Sequence, residues 1–351
     1  MIRSRANASA ASVIVAIAVT AAFVLHAQQA HDLPLAPHNV HWGYYDASLK
    51  PVLTIESGAR VHVETMVARG LERLRLAGAA ENEIPESLKA VEAAVKTRGP
   101  GAHPLTGPIY VTGAEPGDSL EVRIGDIAFL HPYGVIGFLP GGGTLPGEFP
   151  YAYLKLVRFD PGGRTAALAP GVQVPLRPFF GSIGVAPPVL SGRVSSGPPG
   201  PHVGNLDIKE VGAGSIVYLP VHVPGALLSI GDGHAAQGDG ELTGDALETS
   251  MDIEFTVDVI KDQNFGHPLA ENAEYLISIG IGGSLDQALQ QATSGMVRWL
   301  ERDYGLNPNE AAMVLGFAVK YDVVDLVGTQ VSIAAKVPKA ALARMPKKPG
   351  A

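Results

Sequence analysis

The sequence predicts an α+β fold that is mainly β: a β-sandwich-like body followed by a C-terminal α/β segment packed on it. Three observations predict it. Apolar and polar residues alternate at period two in several runs, most cleanly in "MDIEFTVDVI" (251–260). The 42 glycines and 28 prolines are scattered without period and separate short apolar runs, as turns between strands do. Sustained helical periodicity is concentrated beyond residue 284. With 351 residues, 46% of them apolar, the chain can bury one large core or two ordinary ones. A formal net charge of −8 gives no basic footprint and argues against nucleic acid or an anionic membrane surface as partner. There is no cysteine, hence no disulfide and no thiolate chemistry.

Residues 1–27 read as a signal peptide or N-terminal anchor. Arg3 and Arg5 precede the apolar run "ASAASVIVAIAVTAAFVLHA", which small residues surround. This reading makes the protein exported, periplasmic or secreted. A β-rich catalytic body is expected over 36–265, an α/β segment over 266–340 and a tail over 341–351. The body opens with strands over 39–66, where "RVHVETM" (60–66) alternates. Residues 70–78 and 85–97 are helical candidates; in the second, Pro85 suits a first turn and Leu88, Val91 and Val95 share a face. Strands return over 99–127. Glycine and proline over 131–150 predict a long loop. Strands follow near 151–159 and 163–175, then loop-rich stretches at 177–188 and 191–207. Residues 215–230 read as two buried strands meeting at Pro224-Gly225. The helix predicted over 284–305 has Ser284 as its cap and Gly305 as its stop. A second, over 307–319, has Pro308 in its first turn, and "GTQVSIAAKV" (328–337) is a strand.

The densest polar chemistry lies in "GDGHAAQGDGE" (231–241). An apolar strand is expected to end at Ile230 and deliver Asp232 and His234 to its edge. Two apart, they project to one side if strand geometry continues, and they pair a hard oxygen with an imidazole nitrogen. Gly231 and Gly233 remove bulk around them. Asp239 and Glu241 follow in a glycine turn, then Glu248. The same residues also describe an ordinary hairpin turn or a structural ion loop. A second cluster, "GPHVGNLDIKE", holds His202, Asn205 and Asp207, and "HNVHWGYYD" holds His38, His41 and Asp46. Nucleophilic alternatives are poor. Ser182 in "GSIG" lacks the Gly-x-Ser-x-Gly elbow, and no phosphate loop is present. Water activated by a metal and aided by a carboxylate is the most economical hydrolytic chemistry left.

Taken together, "HWGYYDASLKPVLTIESG" (41–58), "GPIYVTGAEPGDSLEV" (107–122), "RPFFGSIGVAPP" (177–188), the block 204–241 and "DQALQQATSGMVRWL" resemble the acetamidase/formamidase family. The resemblance covers most of residues 39–335. It implies hydrolysis of a short aliphatic or cyclic amide to a carboxylate and ammonia, a divalent metal and a homo-oligomer. Carried over by motif, Asp207, Asp232 and His234 are the metal ligands, with His41 a weaker fourth. Glu241 or Glu248 is the catalytic carboxylate, and Gly181, Gly184 and Asn205 contact substrate, the 181–184 stretch offering an N–H to the oxyanion. Asp and His together suit zinc; a more oxygen-rich set suits calcium or manganese. Two features depart from the family pattern: the export leader, and Gly316 where relatives carry Ser. The competing reading is an exported, non-catalytic ligand-binding protein on the same scaffold, its Asp and His holding a structural ion.

Overall fold

The computed structural model describes residues 30–348, so the leader read over residues 1–27 lies outside them. Among the described residues, two nine-stranded sheets dominate. The first is centred on the antiparallel strands Met251–Ile260 and Ser119–Phe129, with Ala59–Glu64 on one side and Ile216–Pro220 on the other. The second is built around Leu228–His234, which pairs with Phe179–Gly184, Pro104–Val111 and Glu248–Thr249. One core fills the space between the sheets. Val61, Val122 and Phe255 of the first meet Ile109, Phe180 and Ile230 of the second in the same buried cluster. The period-two pattern is its cause: Met251, Ile253, Phe255 and Val257 are buried while the residues between them are partly exposed.

The C-terminal residues extend the first sheet. Leu269–Glu271, Tyr275–Gly282, Val331–Pro338 and Lys320–Asp325 continue its strand order to the edge. The helix Leu285–Tyr304 lies on this extension, its start capped by Ser284 accepting from the Gln287 N–H and its end turned by Gly305 in the left-handed region. It approaches Gly280 so closely that a side chain there would collide with the Ala288 carbonyl. A second helix, Pro308–Ala318, has Asn307 and Glu310 in a reciprocal capping box. Trp299 anchors the packing against Leu269, Leu276 and Val337, with its indole N–H donating to Asp303 Oδ2 at 2.7 Å. Trp299→Ala is expected to cost about 3–5 kcal/mol, measured as a lower urea midpoint.

Three stretches differ from the sequence reading. Tyr133–Phe138, inside the expected 131–150 loop, is a strand paired with Tyr153–Arg158. Phe179–Gly184, read as loop-rich, is a fully buried strand with neighbours on both sides. In both, interspersed glycines break the apolar pattern while the pairing is supplied by distant strands. Lys320–Asp325 is a further strand between the second helix and the last predicted one.

Burial gives the fold an acid sensitivity. It holds His131, His202 and His267 at about 4, below their usual 6.5. Both ring nitrogens of His267 are engaged inside the protein: Nδ1 lies 2.8 Å from the Phe265 carbonyl and Nε2 3.0 Å from Ser278 Oγ. Between these values the unfolded chain binds more protons than the folded one. The stability these histidines contribute is therefore complete above the usual value and is lost as pH falls towards the folded value. Urea midpoints are expected to drop through that window; a midpoint flat across it would contradict this assignment.

Candidate active site

Six acidic and imidazole side chains from five separate segments meet beneath one cavity. Asp232 and His234 come from the strand Leu228–His234. Asp207 follows the short strand Val203–Asn205, Glu241 closes the turn Asp239–Glu241, Glu248 opens a two-residue strand, and Asp325 ends Lys320–Asp325. All six are buried. His234 Nε2 lies 3.4 Å from both Asp232 Oδ1 and Glu248 Oε1, and 4.0 Å from Asp207 Oδ1. Three overlapping triads, Asp207–Asp232–His234, His234–Glu241–Glu248 and Asp207–Glu241–Asp325, each bring one donor atom per residue within 4.8 Å of the others.

The strand does not end at Ile230; it runs through both residues, and they sit inside the protein rather than at an edge. Nor does plain strand geometry aim them. Asp232 has φ +60°, and Asp207 and Glu241 also lie in the left-handed region, at +54° and +49°. Such conformations cost energy away from glycine and collect where function demands a particular side-chain direction. Gly181 supplies the space. It falls in the neighbouring strand between Phe180, paired with Gly233, and Ser182, paired with Gly231, so it lies beside Asp232. A Cβ at Gly181 would overlap Asp232 Oδ2 and come 2.6 Å from Asp207 Oδ1 and 2.7 Å from His234 Cε1.

Asn205 belongs to the site. Its Nδ2 donates to Asp207 Oδ2 at 2.6 Å, and its Oδ1 accepts from Ser182 Oγ at 2.6 Å. Two expected residues are not brought to it. His41 is 3.0 Å from Ser229 Oγ, packs beside Tyr44 and Tyr45, and lies outside the triads; burial lowers it to about 4. Gly184 abuts the backbone of His202 and Gly204, where it permits strands to approach. The 181–184 amides do not form an open oxyanion loop either, because their strand is laddered on both sides.

Several participants escaped the sequence reading. His103 lines the cavity, its Nδ1 2.9 Å from the Ser196 carbonyl and its Nε2 3.6 Å from Asp232 Oδ2. Arg73 forms a buried, two-pronged ion pair with Asp245 on the cavity wall, with Arg69 beside it. Gln237 contacts His234 from behind. His103 is flanked by glycine and proline in "GPGAHPLTG", a recognisable local signal, and Gln237 stands within the stretch 231–241 itself. Asp325 sits in an apolar run, "YDVVDLVG", with nothing local to mark it.

The electrostatics are those of a crowded acidic pocket. Burial drives Asp207 and Glu248 well above the usual carboxylate range, His234 opposing and neighbouring acids reinforcing. Burial likewise pushes Glu241 up to about 8. For Asp232 burial is outweighed by the imidazoles of His103 and His234, which hold it ionised. His234 is pushed down by burial, but Glu248 and Asp232 more than reverse that, leaving it well above its usual value. Four donor atoms in this cluster are buried without a hydrogen-bond partner: Asp207 Oδ1, Asp232 Oδ1, His234 Nε2 and Glu248 Oε2. Orphaned buried polar atoms are costly and rare. Mutually facing carboxylate oxygens and one imidazole nitrogen are the donor chemistry of a divalent cation, and the residues present fit one. The cavity above them has a volume of about 380 Å³.

Comparison with known proteins bears on the whole of this arrangement. The Acetamidase/Formamidase family profile matches residues 37–190 and 192–340. A formamidase of Methylophilus methylotrophus is 30% identical over 290 residues, 62% of this chain and 70% of that one. A Schizosaccharomyces pombe relative is 33% identical over 214 residues, 46% of this chain; the match spans about half of that relative's length, 52%. Among solved structures, the acetamidase of Bacillus halodurans superposes with a TM-score of 0.75 at 32% identity, covering 90% of this chain and 99% of that one. The profile covers most of the chain and these matches agree with it: the chain belongs to the acetamidase/formamidase family.

Proposed function

We propose that the protein is an amidohydrolase that cleaves the C–N bond of a short linear or cyclic amide, giving a carboxylate and ammonia, or an amino acid from a lactam. The observation that carries this reading is the set of four orphaned donor atoms converging beneath a cavity in a chain of this family. Asp207, Asp232 and His234 would hold a divalent cation, zinc by the mix of oxygen and nitrogen donors. When bound, such an ion supplies Lewis acidity, polarising a carbonyl and acidifying water. The chain's own groups supply the rest. Glu248, lowered by a bound cation from the raised value that burial gives it, and with its Oε2 unpartnered within the cluster, would then take the proton of the attacking water. Glu241, which lines the cavity, delivers a proton to the leaving nitrogen. Asn205 steadies Asp207, and the Arg73 guanidinium, held by Asp245, lies close enough to Glu248 and Asp232 to interact with both, its charge partly offset by Asp245. With the leader read over residues 1–27, the substrate is an amide met outside the cytoplasm. The family likeness also favours a homo-oligomer, which light scattering tests.

Ammonia release from formamide, acetamide and propionamide, and ring opening of a γ-lactam, test the activity. The reading expects turnover of at least one of them, abolished by a strong chelator and restored by zinc. Failure of cation-replete protein on all four would leave the binding-protein reading in possession of the site.

A further inference from the structure

Gln237 makes three hydrogen bonds that together dictate which nitrogen of His234 faces the carboxylates. Its side-chain amide nitrogen reaches two backbone carbonyls, Asp207 O at 2.7 Å and Val324 O at 3.4 Å. A carbonyl only accepts, so the –NH₂ end of the amide must lie on that side. The other end, Oε1, is then fixed 2.8 Å from His234 Nδ1. An amide oxygen also only accepts, so Nδ1 must carry the hydrogen. That leaves Nε2 as the nitrogen turned towards Asp232, Glu248 and Asp207, and it is the atom without a hydrogen-bond partner. Phe179 closes the ring in from the side, edge-on at 5.1 Å. The same three bonds tie the strand bearing His234 to the loop bearing Asp207 and to the C-terminal strand whose last residue is Asp325.

We infer that Gln237 is a positioning residue that locks the His234 ring with Nδ1 protonated and Nε2 presented to a cation, while holding the two ligand-bearing segments and the strand ending at Asp325 in register. The inference deepens the cation reading proposed above and rests on it for the role of Nε2. It does not rest on it for the lock, which is a property of the protein alone. Outer partners of this kind orient a ligating imidazole, and their loss typically weakens metal binding by about 10–100-fold.

The test uses the full chain and two variants. Gln237→Met keeps the length and removes all three bonds. Gln237→Glu keeps an acceptor for Nδ1 and loses the donor to the two carbonyls. Zinc affinity is measured by competition with a chromophoric chelator, and the His234 ring nitrogens are followed by ¹⁵N NMR on histidine-labelled protein. For wild type, the inference expects a persistent, slowly exchanging Nδ1 proton with or without zinc. Gln237→Met is expected to lose that protection and bind zinc about 10–100-fold more weakly. Gln237→Glu is expected to keep the Nδ1 proton and recover part of the affinity. A folded Gln237→Met that keeps both the Nδ1 signature and affinity within twofold of wild type overturns the inference. So does a variant that loses affinity with an unchanged Nδ1 signature, since that describes general loosening. Wild-type protein that binds no zinc, yet shows the Nδ1 lock broken only by Gln237→Met, refutes the cation reading while upholding the lock.

Discussion

Asp232→Asn is expected to abolish amide turnover and to empty the site of its cation, while leaving the metal-free protein folded. The side chain is isosteric, so the strand Leu228–His234 and its unusual φ at this position have no steric reason to change. What changes is charge. Asp232 is the carboxylate that His103 and His234 hold ionised, and its Oδ1 is one of the orphaned donors. An amide oxygen is a poorer ligand than a carboxylate, and it no longer offsets the ion's charge. The loss of affinity is expected to exceed the ~10–100-fold typical of losing an outer partner, because a direct ligand is removed. Asp232 is held ionised by His103 and His234, so its charge contributes stability near neutral pH, and the metal-free variant is expected to melt somewhat below wild type while still folding. Metal content by atomic emission, turnover and melting of the metal-free protein read the three parts separately. A variant with full activity and full metal content refutes the ligand assignment; one that fails to fold refutes the charge argument.

Gly181→Ala is the second large effect. A methyl group placed there would overlap Asp232 and press on Asp207 and His234, the three proposed ligands at once. The strand cannot retreat, because Phe179–Gly184 is laddered to Val203–Asn205 on one side and Leu228–His234 on the other. Overpacking of this kind costs about 1–3 kcal/mol, so the protein is expected to fold with a lower urea midpoint. Its ligands, however, can no longer converge, and zinc affinity and turnover should fall together by more than the stability loss would suggest. Binding at wild-type strength in the folded variant would show that the cluster does not depend on the gap at Gly181.

These effects arise where the sequence is least readable. The alternation in 251–260, the Ser284 cap, the Gly305 stop and the Pro308 start are local signals, and each element stands within a residue or two of its expected position. The stretch 231–241 was legible for the same reason: one short segment holds two of the proposed ligands and a proposed catalytic carboxylate, although Gln237 within it went unmarked. Convergence is not local. Asp207 and Glu248 reach His234, and Asp325 reaches Asp207 and Glu241, only because strands far apart in the chain lie side by side, and no periodicity encodes that. His41 illustrates the converse. Its neighbourhood in "HNVHWGYYD" is polar and aromatic, yet pairing of Val40–Trp42 with Pro104–Val111 turns the ring to Ser229. His103, unremarked in the sequence, reaches the cavity from the start of that same region. Phe179–Gly184 looked like a loop because glycine breaks its pattern, but the missing side chain at Gly181 is what makes room for the site.

The central claim is that Asp207, Asp232 and His234 hold one divalent cation at the floor of the cavity. Diffraction from crystals grown with zinc, recorded on both sides of the zinc absorption edge, tests it most directly. The account predicts a single anomalous peak within bonding distance of Asp207 Oδ1, Asp232 Oδ1 and His234 Nε2. Zinc-saturated, amide-hydrolysing protein with no peak among these three atoms would contradict it.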